Sequence, residues 1–340
     1  MNEVYEFETN ASFGSVSSSG ALKRFAEDFK VSETLSFSPS GDGDHVYLFV
    51  QKTGCNTDWV ANQLADLAGL KQVDVGYAGM KDRHAVTSQW FSLHMPNQPE
   101  PDWDALPAEI SVLEKTRHNK KLRTGAIEKN NFELCIRDVS GDLAEIERRL
   151  TLIKEQGFPN YFGPQRFGFQ GANAHKLVGM STARRRVSKT QRSMYISAGR
   201  SYLFNQILKQ RVNQGSWNQA IAGDVMALQG SRSVFVPEMI DQTIIDRVAE
   251  FDIHPAAMLW GRGEAKSSLD ALEMEQQVLK SYPALLAALE TAGVEMAYRT
   301  MRIPVPDLSW ELKENELLLS FSLISGAYAT SLLSEFVLTG

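Results

Sequence analysis

The strongest constraint on how this chain folds is a pair of strand signals isolated near its C-terminal end. Leu308 to Lys313 and Glu316 to Ile324 read as two strands about a Glu314-Asn315 turn, which predicts a hairpin. A lone hairpin is marginally stable in water, so these strands must join a sheet built elsewhere. Matching material lies far upstream, in His45 to Lys52 (HVYLFVQK), Ser88 to Met95 (SQWFSLHM) and Phe132 to Val139. In the last of these, Phe132, Leu134 and Ile136 share one face while Glu133 and Arg137 take the other. A β-rich domain interrupted by a long insertion is the economical solution, and the class is α+β.

Helical signals fill out this plan. Asn56 or Thr57 can cap a helix running through Leu70, with Val60, Leu64, Leu67 and Ala68 on one face and Gly69 near its end. Asp142 to Gln156 carries Leu143, Ile146, Leu150 and Ile153 at helical spacing. At Gly157 the texture changes to glycine, proline and aromatics (NYFGPQRFGFQG), then to basic helical sequence through Asn213. Further helices are expected over Leu269 to Leu279 and Pro283 to Ala292, and a short one from about Tyr328 to Phe336.

The net charge of −6 argues superficially against a polyanionic partner, but its distribution matters more than its sum. Between Glu155 and Asp224 there is no Asp or Glu, yet the interval holds Arg166, Lys176, Arg184, Arg185, Arg186, Lys189, Arg192, Arg200, Lys209 and Arg211. That interval carries +10 and leaves −16 for the rest of the chain. A second basic knot comprises Lys115, Arg117, His118, Lys120, Lys121 and Arg123. Solvated basic faces are normally laced with acidic residues at helical spacing, so phosphate binding is the better reading. The interleaved Tyr161, Phe162, Phe167, Phe169, Tyr195, Tyr202 and Phe204 could stack on unpaired bases, although most of them read as core.

Other function classes lose their anchors. No apolar run approaches the roughly 20 residues that span a bilayer, and the acidic start MNEVYEFETN has no secretory core, so a cytoplasmic protein is expected. Cys55 and Cys135 are too few for a disulfide framework or a thiolate zinc site and read as small buried side chains. Gly261 to Ser267 imitates a phosphate loop, but Trp260 and Ala265 stand where its glycines belong, and a surface turn is expected. There is no HExxH, GxSxG or strand-borne GxGxxG motif.

One stretch, GYAGMKDRHAVT from Gly76 to Thr87, sits between strand signals. Taken alone, Asp82 between Lys81 and Arg83 is a solvated turn residue. Gly76 and Gly79 alter the context by permitting backbone conformations and close ligand approach that side chains would block.

Extended to GYAGMKDRHAVTSQWFS, this stretch resembles the signature of the TruD family of tRNA pseudouridine synthases, whose core reads Gly-x-Lys-Asp-Lys/Arg-x-Ala-x-Thr-x-Gln. Further blocks resemble the family in order: Leu22-Lys23 with Glu27-Asp28-Phe29-x-Val31-x-Glu33, Gly54-Cys55-Asn56-Thr57, Arg117-His118 with Lys121-Leu122-Arg123-x-Gly125, Asn130-Asn131-Phe132, and Pro159 to Gly168. The resemblance implies a pseudouridine synthase catalytic domain with a mixed or antiparallel sheet over 1–156 and 304–340. A mainly helical TruD-specific insertion over 157–303 interrupts it, the two enclosing an RNA-binding cleft.

By the same resemblance Asp82 is the catalytic carboxylate, acting on a flipped-out uridine of tRNA, uridine 13 of the dihydrouridine arm. Phe132 is the stacking ring, and Asn130 hydrogen-bonds the carboxylate or the base. Lys23 and Glu27, at helical spacing, border the site. Lys81 and Arg83 keep the carboxylate ionised or bind phosphate, and His84 is structural. Tyr328 stands where the family has an active-site Phe, keeping the ring and adding a hydroxyl. RNA contacts are expected from Arg117, Lys120, Lys121, Arg123, Arg166, Arg184, Arg185, Arg186, Lys189 and Arg192. The reaction needs no redox step, so no cofactor or metal is implied, and a monomer is expected. Attack of Asp82 on the sugar, attack on the base, and removal of the C1′ proton all stay open. A catalytically silent RNA-binding or RNA-chaperone protein is the alternative, its marker a replaced aspartate. A nucleoside hydrolase would want paired carboxylates or a metal, and no such pair is evident.

Overall fold

The computed structural model describes Tyr5, residues 7–183 and residues 187–339. Two compact units emerge: Ser18–Leu143 with Asp307–Gly326 and Leu338–Gly340, and Met1–Ser17 with Ala144–Pro306 and Ala327–Val337. Residues 144–156 and 327–337, expected beside the sheet, therefore pack within the helical unit.

The sheet unit opens with β1 (Ser19–Leu22), β2 (Phe29–Leu35) and β3 (His45–Thr53), followed by helix α1 (Thr57–Leu67). It continues through β4 (Val75–Tyr77), β5 (Val86–His94), β6 (Ile110–His118) and the long β7 (Ile127–Ser140). Lys23 and Glu27 are not on a helix as their spacing suggested: β1 ends at Leu22, Lys23 takes φ +60°, and only a 3₁₀ turn (Ala26–Asp28) follows. The alternating apolar residues of β2 outweigh the short helical repeat before it.

The second unit runs from α2 (Leu143–Gln156) and β8 (Phe158–Pro159) into α3 (Ala172–Ala183) and α4 (Lys189–Asn213). Next come β9 (Val225–Leu228), β10 (Val234–Phe235), α5 (Gln242–Ala249), β11 (Ile253–Leu259), α6 (Leu269–Leu279), α7 (Pro283–Ala292), β12 (Ala297–Thr300) and β13 (Arg302–Ile303). It is mainly helical but contains an antiparallel sheet in the order β10-β9-β11-β12, which the sequence reading missed. These strands are short, and Pro255 inside β11 disguises the only long one. Tyr161, Phe162, Phe167, Tyr195, Tyr202 and Phe204 are buried in this unit, while Phe169 is 84% exposed.

Arg211, counted above among phosphate-binding candidates, is fully buried. It bonds Asp224 through Nη1 (2.8 Å) and Nη2 (2.9 Å), and also the carbonyls of Ser216 and Gln219. The acid-free interval in sequence is thus not acid-free in space.

The chain then returns as β14 (Ser309–Lys313) and β15 (Glu316–Ile324), the expected hairpin, before α8 (Ala329–Leu333) and β16 (Leu338–Thr339). Among the described residues the large sheet has ten strands in the order β14-β15-β7-β2-β5-β3-β6, with β1 joining β7 and β16, and β4 joining β5. The β2–β5 and β1–β16 pairs are parallel and the others antiparallel, so the sheet is mixed. On one face α1 packs Val60, Ala61 and Leu64 against Val46, Leu48, Val50 and Phe91. The alternate residues Tyr47 and Trp90 pack with Leu122 on the other. Cys55 and Cys135 are free and only half-buried, contrary to expectation.

Glu275 on α6 is buried, accepting from Met258 N (3.1 Å) and Ser267 Oγ (2.6 Å), and burial pushes its carboxyl up to about 7. A folded-state value above the unfolded one gives stability that is complete below pH 4.5 and is lost as pH rises through about 7. Glu275→Gln should therefore flatten the fall in unfolding free energy between pH 5 and 8, by on the order of 3 kcal/mol, in urea titrations of both proteins.

Candidate active site

Asp82 is carried on the loop between β4 and β5, and side chains from four other elements clamp that loop. Gln89 of β5 donates through Nε2 to Gly79 O (3.1 Å), and its Oε1 accepts from Thr57 Oγ1 (2.9 Å) at the start of α1. The same Thr57 hydroxyl accepts from Lys81 N (3.0 Å). Lys81 Nζ donates to Glu33 Oε2 of β2 (2.7 Å), whose other oxygen accepts from Trp90 N (2.6 Å). Lys52 of β3 is fully buried and donates to Asp82 O (2.8 Å) and Cys55 O (2.7 Å). Arg83 Nε reaches Gly54 O (3.3 Å).

Three of these clamps carry or bind charge below the surface. Burial pushes the Glu33 carboxyl above its ordinary value, opposed by Lys81 and by the Trp90 amide. Burial pushes the Lys52 ammonium down, opposed by Cys55 and Asp82. Lys81 thus serves Glu33 rather than Asp82, and its side chain is nearly all buried.

The Asp82 side chain itself stands out of this frame, 56% exposed. Its Oδ2 accepts from Lys23 Nζ at 2.6 Å, and Oδ1 has no hydrogen-bond partner among the described residues. Lys23 Nζ also lies 3.9 Å from the centroid of the Phe29 ring. Phe29 meets Phe132 edge-on (6.1 Å, 80°), and Phe132 stacks on Phe321 of β15 (5.0 Å, 16°). A continuous row of groups therefore links the carboxylate, the ammonium and three rings. Asn130 lies across from Glu33 in the β2–β7 register, and its Oδ1 is buried without a partner.

The expected site residues divide. Asp82, Lys23 and Phe132 share this row, with Asn130 two positions before Phe132 on β7 and Lys81 beneath the loop. Glu27, on the 3₁₀ turn, is exposed and lines a groove with Lys30, Glu133 and Cys135, whose strand phase alternates with that of Phe29 and Phe132. His84 is exposed. Gly76 does not open space for a ligand as expected: a Cβ there would meet Leu122 O at 2.5 Å and Ser92 Oγ at 2.7 Å, so the room is filled by the chain's own ridge at 121–123. At Gly79 a Cβ would meet only Ile127 Cδ1, at an ordinary 3.6 Å.

Among the basic residues, Arg117 donates to Gly43 O (3.0 Å) and Lys121 to Val73 O. Lys120 and Arg123 are exposed, with no side-chain partner among the described residues. In the helical unit, Arg166 donates through Nε (3.0 Å) and Nη2 (2.7 Å) to the Tyr328 hydroxyl, and through Nη1 to Ser197 Oγ (3.2 Å). The extra hydroxyl of Tyr328 is thus taken by Arg166, and its ring packs edge-on against Phe162 (6.1 Å, 62°). Lys189 is exposed, and Arg192 donates to Ala292 O (3.0 Å). Arg184, Arg185 and Arg186 lie outside the described residues.

Sequence reasoning missed the roles of Glu33, Lys52, Thr57 and Gln89. A signal for Glu33 and Lys52 was available: each falls on the apolar phase of its strand, after Phe29 and Val31 in β2 and after Val46, Leu48 and Val50 in β3. A charge in that phase is buried and must be paired.

A solved structure assigned to tRNA pseudouridine synthase D (TruD) from Methanosarcina mazei matches 98% of this chain and 95% of its own, with a TM-score of 0.73 at 19% identity. The fold is therefore shared with that structure and is α+β, a mixed sheet interrupted by a mainly helical insertion. The family model described as tRNA pseudouridine synthase D (TruD) matches residues 13–185 and 178–336. The tRNA pseudouridine synthase D of Methylococcus capsulatus is 45% identical over 327 residues, covering 95% of this chain and 92% of the relative. That of Hydrogenovibrio crunogenus is 42% identical over 326 residues, covering 95% and 94%. The chain belongs to the tRNA pseudouridine synthase D (TruD) family, a family of isomerases.

Gly76→Ala should force the ridge at 121–123 off β4, lowering unfolding free energy by about 1–3 kcal/mol. A thermal melt of the variant, with hydrogen exchange faster at 121–123 than in the wild-type protein, checks it.

Proposed function

We propose that this protein isomerises a uridine of tRNA to pseudouridine, with Asp82 as its catalytic carboxylate and uridine 13 of the dihydrouridine arm as the target. The observation that carries this reading is the contrast within one loop: its backbone is held by Gln89, Thr57 and Lys52, while the Asp82 carboxylate is presented to solvent with one oxygen unpartnered. A rigid frame around one free reactive group is what positioning of a reactant demands.

The reaction breaks the bond from uracil N1 to ribose C1′ and forms one from C5 to C1′, with a proton leaving C5 and one gained at N1. Atoms and electrons balance without an oxidant or reductant, and the chain is read as a cytoplasmic monomer that uses no cofactor. The uridine leaves its stack at a cost of a few kcal/mol and is held by ring stacking and edge hydrogen bonds. Phe132, backed by Phe321, supplies the ring, and the unpartnered Asn130 Oδ1 is an acceptor for a base N–H or a ribose hydroxyl. Lys23 fixes Oδ2 so that Oδ1 meets the substrate, by attack on sugar or base or by removal of the C1′ proton. Catalysis belongs to the sheet unit of Ser18–Leu143 and Asp307–Gly326, while the helical unit contributes phosphate contacts through Arg166, Lys189 and Arg192.

Asp82→Asn should abolish tritium release from tRNA labelled at uridine C5, with tRNA affinity by filter binding kept within about threefold. Full release in that variant would remove Asp82 from the chemistry. Lys52→Met, which frees the loop but leaves the carboxylate, should lower single-turnover release by about 100-fold, since a misplacement near 1 Å costs that much.

A further inference from the structure

Away from the Asp82 row, the sheet carries a groove of about 920 Å³, lined on the Tyr47 face by Phe37, His45, Tyr47, His118, Lys120 and Arg123 among others. None of its lining residues is an Asp or Glu, although the whole chain carries −6. It lies on the opposite face from Phe132: Phe132 shares the phase of Val31, Thr87 and Lys52 across β7-β2-β5-β3, whereas His45 and Tyr47 have the alternate phase of β3.

Three features shape what this groove accepts. Phe37 and His118 stack at 4.9 Å with 29° between planes, which makes an aromatic platform. Lys120 and Arg123 are exposed cations held to no carboxylate among the described residues. His45 lies between His94 and His118 in the strand register, and its Nδ1 is buried without a partner. Burial first, and then His94, push the His45 imidazole below its ordinary value, against the pull of Asp44. The shift favours the neutral ring, with the unpartnered Nδ1 beneath the groove floor. Among the described residues, no group of three His, Cys, Asp or Glu side chains is placed to hold a metal ion. A platform and free cations match the base and the phosphates of a single unpaired nucleotide.

A second hollow of about 540 Å³ borders Gly76 and Tyr77 of β4 and shares Lys121, Leu122 and Arg123 with the groove. The basic tract thereby reaches the edge strand that leads into the Asp82 loop.

We propose that this groove is a second RNA-binding site, one that holds an unpaired nucleotide of the substrate RNA other than the target, its base on Phe37 and His118 and its phosphates on Lys120 and Arg123. The proposal rests on tRNA being the substrate, as set out above. It separates this face from a bare phosphate-binding surface, which would need the cations but not the rings.

Full-length protein is titrated with a uridine hexanucleotide, a blunt RNA duplex of equal length and unmodified tRNA, across a range of salt concentrations. Lys120→Ala/Arg123→Ala should weaken hexanucleotide and tRNA binding about tenfold at 0.1 M salt and reduce the slope of log K against log salt by about 1–2. Phe37→Leu should weaken the hexanucleotide about tenfold while leaving its salt slope and duplex affinity unchanged, as loss of one stacked base requires. A melting temperature for Phe37→Leu verifies folding, and the exposed Lys120 and Arg123 give a pair of variants independent of packing. Unchanged hexanucleotide affinity in both variants overturns the site. Equal loss for duplex and hexanucleotide overturns it too, in favour of a general phosphate surface. Wild-type protein that releases no tritium refutes the proposed reaction alone, because the hexanucleotide outcomes are still scored by binding.

Discussion

The geometry around Asp82 depends on one buried ion pair. Glu33 is wholly within the sheet unit and Lys81 nearly so, their charged atoms 2.7 Å apart, and the second Glu33 oxygen is taken by a strand amide. Losing either partner leaves an uncompensated buried charge, a change that typically costs about 3–5 kcal/mol. The pair ties the loop to β2, Lys52 ties it to β3 and Thr57 ties it to α1. The loop that presents the exposed side chain next to Lys81 is therefore held by interactions that this side chain does not make.

Electrostatics elsewhere follow from where partners lie in space. Arg211 and Asp224 form a core clamp although an acid-free run separates Asp224 from Glu155. Arg192 and Arg200 each donate to backbone carbonyls, and Lys209 pairs with Glu8. What a linear count presents as one cationic block is, among the described residues, partly internal scaffolding, with Lys189 and Arg192 among those exposed. The smaller knot at 115–123 divides the same way, Arg117 and Lys121 engaged and Lys120 and Arg123 free.

The hairpin of β14 and β15, the strands β3, β5 and β7 and the helices α1, α2, α6 and α7 were readable because each carries a clean period or turn signal over many residues. Elements of two to four residues were not readable, nor was β11 with its internal proline. At the site, Asp82 was named by resemblance, whereas its supports came from long-range contacts: Lys52 to residue 82, Glu33 to residue 81, Thr57 to residue 89. Glu27 shows the converse. Its sequence neighbourhood matched the family, but it sits on the 3₁₀ turn before β2 and lines a groove with Lys30, Glu133 and Cys135.

The late return of β15 also imposes an order on assembly. Ser322 Oγ donates to Asn131 across 191 residues of chain, and Phe321 covers Phe132 beside it. During synthesis β7 emerges long before its neighbour, and its edge stays open while the intervening unit is made. Contacts of such separation close slowly, after nearby ones have formed. The ring row next to the carboxylate is therefore completed only when translation has passed β15, so an unfinished polypeptide on the ribosome holds Asp82 without Phe321 behind Phe132.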